Sequence, residues 1–370
     1  MKRICVIAAT VLLGWAGVAH AGPLELKNVP ANAKWVAHVD FDAAHSSPVV
    51  QAMLKQVAKD WPGAAERVGK FCHKVGLDDC KDLHAATAYG TTLERHKGVL
   101  ILQAKWNAKA LQEKAEKAPD HKTSKYGKYE IHTWTAHKGS KHAHQVAGTL
   151  YKPDVLVLAS SPESLTAAIN ALDGKAASLA GKQSPLADKV SPGAIVVARA
   201  VDLKDSPAAK MHPVLQLVKS FAYEEGEHDG RWFGNLAVAA DSKPVAGQLA
   251  KVFEGYNAWL SLHGHKSPWF VDLINKVKVS SDGKVVKATF QEPAGTLVAL
   301  MPKMSEVLQE HLKLHKAMME KHCKMMQEMK EMHKESASAS NKSEAKCCPK
   351  CPMMKKNHAA GTTTGGTTKK

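Results

Sequence analysis

Arginine is scarce in this chain. Only five of its 51 basic residues are arginine (Arg3, Arg67, Arg95, Arg199 and Arg231), and lysine supplies the rest of a formal charge of +16 over 370 residues. Base-edge readout in nucleic acid favours planar guanidinium forks, so this balance argues against a nucleic-acid reader. It points instead to a solvated lysine surface whose expected partners are anionic envelope polymers or lipid headgroups. Long apolar runs are missing too. After the first twenty or so residues no segment approaches the ~18 uninterrupted apolar residues of a membrane span. Enzyme signatures are also absent. There is no nucleophile elbow, no phosphate-cradling glycine loop and no His-Glu-x-x-His zinc helix. One Ser-x-x-Lys match, Ser281 to Lys284, spans a Ser-Asp-Gly turn and reads as turn chemistry. Asp40 and Asp42 follow one strand, and Asp202 and Asp205 follow another. A repeated aspartate at a strand end reads as a cap or turn residue before it reads as an acid–base pair. The expectation is that the protein is not an enzyme.

The N-terminus is set aside before any fold argument. Lys2 and Arg3 precede an apolar run from Ile4 to Ala19, and Ala19-His20-Ala21 is a small-x-small cleavage site. Residues 1–21 therefore read as a secretory signal peptide, which predicts a secreted or periplasmic protein; the competing reading is an uncleaved anchor. Cys5 sits early in the run, which argues against a lipoprotein anchor. Loss of Lys2 and Arg3 lowers the formal charge from +16 to +14. Cysteine is absent between Cys80 and Cys323. In an oxidising compartment Cys72 and Cys80 are expected to form a short-loop disulfide; a metal site with His73, Asp78 and Asp79 is the alternative.

The body looks duplicated. Val36-Ala37-His38-Val39-Asp40-Phe41-Asp42 reads as a strand, followed by Ser47-Pro48 and an apolar helix. Val197-Ala198-Arg199-Ala200-Val201-Asp202-Leu203 reads the same way, followed by Ser206-Pro207 and a helix over Val214 to Phe221. In both places Ser can cap and Pro can occupy the first helical position. The parallel continues with a strand and a helix in each half, Gly98–Trp106 with Ala108–Lys117, and Gly234–Ala240 with Val245–Leu260. A hairpin follows in each, Tyr129–Ala136 with His144–Tyr151, and Val277–Ser280 with Lys284–Phe290. Each half closes with a helix, Pro162–Leu172 and Ala294–Met301, and Val155–Ala159 is an extra strand of the first half. The predicted fold is α+β: two similar halves, 30–178 and 190–303, each a mostly antiparallel sheet with helices on one face. Gly174 to Gly193 is the expected linker. This build resembles uncharacterised secreted bacterial proteins with tandem α+β halves, a resemblance that implies no activity.

One histidine group in the body stands out. With a turn at Lys138 to Lys141, His137 faces His142 and Thr135 faces His144, placing His137, His142 and His144 on one face near the hairpin tip. Three such imidazoles could hold Zn²⁺ or Cu²⁺. In a chain with 20 histidines, a polar solvent-facing hairpin is the plainer reading.

The tail carries the chemistry. From His311 onward, His311, His315, Met318, His322, Met325, Met329 and Met332 step by four and three residues along one helical seam. A flanking line runs Leu312, Met319, Met326, His333, and the other faces carry Lys and Glu. After Leu314 there is no Leu, Ile or Val, so the would-be apolar face consists of thioethers and imidazoles. Thioether sulfur is a soft neutral ligand, and helical spacing puts residues three or four apart on adjacent turns. Cu(I), or Ag(I) as its soft analogue, suits such a set. His315, Met318, Met319, His322, Met325, Met329 and His333 offer overlapping pairs, with Cys323 beside them. Downstream, Cys347, Cys348 and Cys351 form a thiol knot around one Cys-x-x-Cys spacing. It can hold Cu(I) or half a zinc site, or close as a disulfide.

Residues 304–335 are thus predicted as a Met/His-rich amphipathic helix, and 336–370 as a disordered Cys/Met and Gly/Thr tail. The pattern over 311–333 resembles periplasmic copper- and silver-resistance proteins with repeated Met-x-x-His and His-x-x-Met pairs. That resemblance implies metal ions as partners and copper, or another soft transition metal, as the bound species. The competing expectation is an envelope structural or interaction protein. A seam at this spacing also describes a coiled coil, and methionine suits adaptable association helices, so the tail could join copies into a homo-oligomer.

Overall fold

The computed structural model describes residues 22–94, 96–264, 267–307 and, further on, 309–310, 313, 318–321, 325–326 and 329. The predicted leader, the segment 336–370 and part of the Met/His stretch lie outside the described residues. The chain divides into two compact units at Lys303/Met304.

The first unit is α+β, with two similar halves sharing one antiparallel sheet. The first half supplies β1 (Trp35–Asp40), β2 (Leu83–Gly90), β3 (Val99–Ala104), β4 (Lys122–Tyr126), β5 (Tyr129–Ala136), β6 (His144–Lys152) and β7 (Val155–Ala159). The second supplies β8 (Ala194–Val201), β9 (Val218–His228), β10 (Arg231–Ala240), β11 (Lys278–Asp282) and β12 (Val285–Pro293). The strand order is β11-β12-β10-β9-β8-β1-β2-β3-β7-β6-β5-β4.

The seam between the halves is β1 against β8, with Ala37 opposite Ala198, Val36 opposite Arg199 and His38 opposite Val197. The matched sequences Val36-Ala37-His38 and Val197-Ala198-Arg199 therefore pair reciprocally about a local two-fold through the alanines. Directly opposed residues share a face, so His38 and Arg199 occupy equivalent buried positions, each 3% exposed.

β1 shows a period-two burial pattern, with Val36, His38 and Asp40 buried. On the same face Tyr89, Ile101, Val157 and Val197 join Leu165 and Ile169 of α5 (Pro162–Leu172) in the main core. Leu165 and Ile169 are fully buried, worth roughly 1.5–3 kcal/mol each relative to exposure. Ser161 caps α5 by accepting from the Ser164 N–H, and Pro162 takes the first helical position. At its other end, Asp173 accepts hydrogen bonds from the Tyr129 and Tyr151 hydroxyls, each at 2.9 Å. The Lys175 ammonium, with help from these hydroxyls, holds the Asp173 carboxyl down to about 2. The second half has its own core, where Ala246, Leu249 and Ala250 of α7 (Lys243–His263) pack on Val218, Val238, Ala240 and Val286.

The capping logic read from sequence holds. Asp40 caps α1 (Phe41–Ser46), accepting from the Ala43 N–H at 2.8 Å. Ser47 caps α2 (Pro48–Asp60), and Ser206 accepts from the Ala209 N–H at the start of α6 (Pro207–Met211). Cys72 and Cys80 form the expected disulfide, joining α3 (Gly63–Val75) to the strand-entry turn of β2. The Ser281–Lys284 match is the β11–β12 turn, with Asp282 opposite Val285 and Gly283 at φ 57°.

Four details differ from the sequence reading. The helix expected over Val214–Phe221 is a 3-10 turn, Pro213–Leu217, running into β9. The alternation of Val218, Ser220, Ala222 and Glu224, with Val218, Ser220 and Glu224 buried, favours a strand there. Val155–Ala159 is not the extra strand. As β7 it pairs β3, the position β12 holds beside β10, so the additional strands of the first half are β4 and β5. The linker is not a free tether either: Leu179 and Leu186 are buried in the main core, and Pro30 bridges Ser178. At its end Gly193 sits at φ 72°, where a Cβ would lie 2.2 Å from the Glu227 carbonyl oxygen, so only glycine fits the entry to β8. Finally, the first hairpin is shifted by one: Thr135 faces Gln145, and Ala136 faces His144.

Candidate functional site

In the tail unit, residues 304–307, 309–310, 313, 318–321, 325–326 and 329 are helical. Met318, Met325 and Met329 fall on the seam and Met319 and Met326 on the flanking line, as the spacing predicts for one helical stripe. Their exposures run from 41% at Met329 to 62% at Met318. The other nominated ligands, His311, His315, His322, Cys323, Met332, His333, Cys347, Cys348 and Cys351, lie outside the described residues. Chemically, the described part is a row of solvent-facing thioethers spaced by helical turns.

Among the described residues the body brings together two imidazole groups, and neither is the expected His137–His142–His144 set. His137 and His144 do come together, with ring centroids 5.8 Å apart. His142 lies in the turn and offers its backbone carbonyl, 2.9 Å from His144 Nδ1, in place of its ring. Pairing ends at Ala136 opposite His144, so His137, at φ 52°, and His142 both lie in the turn and outside the strand alternation expected to align them. The third ring is His96, from the β2–β3 connection, stacked on His144 at 5.1 Å. These two rings also line a mainly apolar groove of about 540 Å³ with Trp35, Leu93, Val99, Leu100, Val146 and Leu158.

The second group is His121 and His132, whose Nε2 and Nδ1 atoms are 3.0 Å apart. Sequence reasoning missed it because the β4–β5 hairpin went unread. Its signal was Gly127, which sits at φ 56° in the turn between Tyr126 and Tyr129. Thr123 pairs His132, which brings His121, two residues earlier, alongside. Among the described residues no three of His, Cys, Asp and Glu converge as a metal site.

The seam has its own electrostatics. Arg199 donates to the carbonyls of Leu186, Asp188 and Lys189 and pairs with the buried Glu224. Its symmetry counterpart His38 has one partner, Thr87 Oγ1 at 2.9 Å from Nδ1, and its buried Nε2 has none. Burial pulls the His38 imidazole down to about 4. Both side chains are buried at the seam between the halves, each 3% exposed.

The chain matches no known family by sequence, and no curated protein. Among solved structures it is similar to crystal forms III, I and IV of TP0453, at 9% identity and TM-scores of 0.39, 0.36 and 0.38. Those matches cover 76% of this chain and 98%, 97% and 97% of theirs. A likeness at that level assigns neither ligand nor activity. Among the described residues no helix is long and apolar enough to cross a membrane.

Proposed function

We propose that this is a secreted or periplasmic binding protein whose Met/His/Cys-rich tail sequesters soft metal ions, Cu(I) or Ag(I), with the α+β body as its carrier. One observation carries the reading. Met318, Met319, Met325, Met326 and Met329 all stand on helical residues and all remain more than 40% exposed. A methionine buried in a core gains roughly 1.5–3 kcal/mol, and these gain little of it, so packing within the chain does not account for them. A soft cation does, since neutral thioethers at helical spacing bind it without competing for protons. Several overlapping pairs suit exchangeable binding better than one closed cage. Interleaved imidazoles and downstream thiolates would widen the donor set, and capture would also favour helix formation in a stretch with little packing energy of its own.

The mature chain is expected to take up Cu(I) against a competing chelator, and a chain ending at Pro302 to take up much less. Equal uptake by both contradicts the reading. Size exclusion of the same metal-free pair addresses the competing function, in which the tail helix joins copies or docks an envelope partner. If the tail joins copies, truncation lowers the oligomeric state; under metal sequestration it leaves it unchanged.

A further inference from the structure

We propose that His121 and His132 form a second, separate metal site, on the body, for a borderline divalent ion of the Ni(II), Zn(II) or Cu(II) class. The site sits on the outermost hairpin of the sheet, β4–β5. His132 is anchored in mid-strand, paired to Thr123 on one side and Gly148 on the other, and its side chain is only 16% exposed. His121 precedes β4 and brings its Nε2 to 3.0 Å from His132 Nδ1, with the ring planes 18° apart.

Two nitrogens that close do not both carry a proton toward each other. One donates and the other accepts, so the metal-free pair shares a single proton along that line. A metal ion exchanges with that proton. At ordinary metal–imidazole distances of ~2.0–2.1 Å, two nitrogens 3.0 Å apart subtend about 90–95° at the ion, the angle of a cis pair in square-planar or octahedral coordination. The third element is Glu130. Its Oε1 lies 3.7 Å from Nε2 of His132, the nitrogen facing away from His121. At that distance the carboxylate makes no direct hydrogen bond, but its negative charge favours placing the ring proton on Nε2, which leaves Nδ1 as the lone-pair donor.

No third His, Cys, Asp or Glu closes the set among the described residues, so water or a small ligand fills the remaining positions. The site is therefore open and exchangeable. Its donors are nitrogen, which sets it apart from the sulfur-rich tail in both metal preference and place. The inference does not rest on the tail's function.

Thermal unfolding of the full chain in Ni(II) tests it. An ion held across β4–β5 binds the folded sheet and not the unfolded chain, so it raises the body's Tm. Ions caught by the tail, which belongs to the other compact unit, leave that transition in place. At ten times the dissociation constant the rise is expected to be roughly 3 °C. It should persist when Cys323, Cys347, Cys348 and Cys351 are changed to Ser. It should vanish in His121→Gln, which keeps a hydrogen bond to His132 but loses the imidazole donor. Should His121→Gln fail to fold, paramagnetic Ni(II) in the wild-type chain is expected to broaden the His121 and His132 ring resonances ahead of all other histidines of residues 22–303. An equal Tm rise in His121→Gln, no rise in the wild type, or broadening that begins at other histidines of the body overturns the proposal.

Discussion

Replacing Arg199 by alanine is expected to cost about 3–5 kcal/mol of stability, the penalty for leaving a buried carboxylate without its cation. The side chain is 1% exposed and its partner Glu224 is 11% exposed, so little water reaches the pair to substitute for the lost guanidinium. The loss extends past the ion pair. Arg199 also donates to three carbonyls of the segment joining the halves, those of Leu186, Asp188 and Lys189. That segment covers the main core through Leu179 and Leu186, so releasing it exposes apolar surface as well. Urea unfolding measures the first effect. Limited proteolysis after Lys182 or Lys189 measures the second, and cutting there is expected to accelerate in the variant. Arg199→Met combined with Glu224→Met should recover part of the loss, because no unpaired charge remains while the three carbonyls still lack their donor. A cost below about 1 kcal/mol for the alanine variant would show that the seam does not depend on this residue.

Acidification from pH 6.5 to pH 4 is expected to remove about 3 kcal/mol through His38 alone. The imidazole has an ordinary value near 6.5 in the unfolded chain and about 4 in the folded protein, where burial opposes its charge. A base depressed by folding leaves stability untouched above the unfolded value. As pH falls below it, the unfolded chain takes the proton first, and stability drops until the folded value is reached. Asp40, two residues along, acts in the opposite direction. Burial raises its carboxyl, so the folded form takes up that proton more readily and recovers a little stability at the low end. Asp173, held near 2, contributes its own loss only below the ordinary carboxylate range. Between 6.5 and 4 the His38 loss therefore dominates, with the opposing Asp40 gain entering only toward the low end. Urea midpoints at pH 7, 5.5 and 4.5 are expected to fall steeply in the wild type. They should fall far less in His38→Leu with Thr87→Val, which removes the titrating ring together with its hydroxyl partner. Parallel slopes in the two proteins would show that the acid sensitivity lies elsewhere.

His38 and Arg199 also show what could be read from the residues. The duplicated Val-Ala-x motif and the Ser-Pro helix starts were legible because capping and strand alternation are local. They led to the α+β halves, and the reciprocal pairing of Val36 with Arg199 and His38 with Val197 follows from the same motif. What stayed hidden depends on partners far apart in the chain. Val218 to Phe221 carries enough apolar residues to pass for a helix, and becomes a strand because β8 and β10 flank it. Glu224 looks like a surface residue until Arg199 is placed beside it. The role of β7 depends on its pairing with β3 across about fifty residues. For the candidate sites the limits were turns and distant partners: His142 lies in the β5–β6 turn, His96 reaches His144 from the β2–β3 connection, and an unread turn at Gly127 hid His121 and His132. The tail was the reverse case. Its methionine stripe was read from local periodicity alone, and Met318, Met319, Met325, Met326 and Met329 lie on described helical residues.

The central claim is that sulfur in the tail holds the metal. The most direct measurement is competitive Cu(I) titration of the wild-type chain beside a variant with Met318, Met319, Met325, Met326 and Met329 changed to Leu. Leucine keeps helix propensity and apolar volume, so an association helix would survive the change while thioether ligation would not. The account predicts fewer Cu(I) bound per chain and weaker retention in the variant, with oligomeric state unchanged. Undiminished Cu(I) binding by the leucine variant would contradict it.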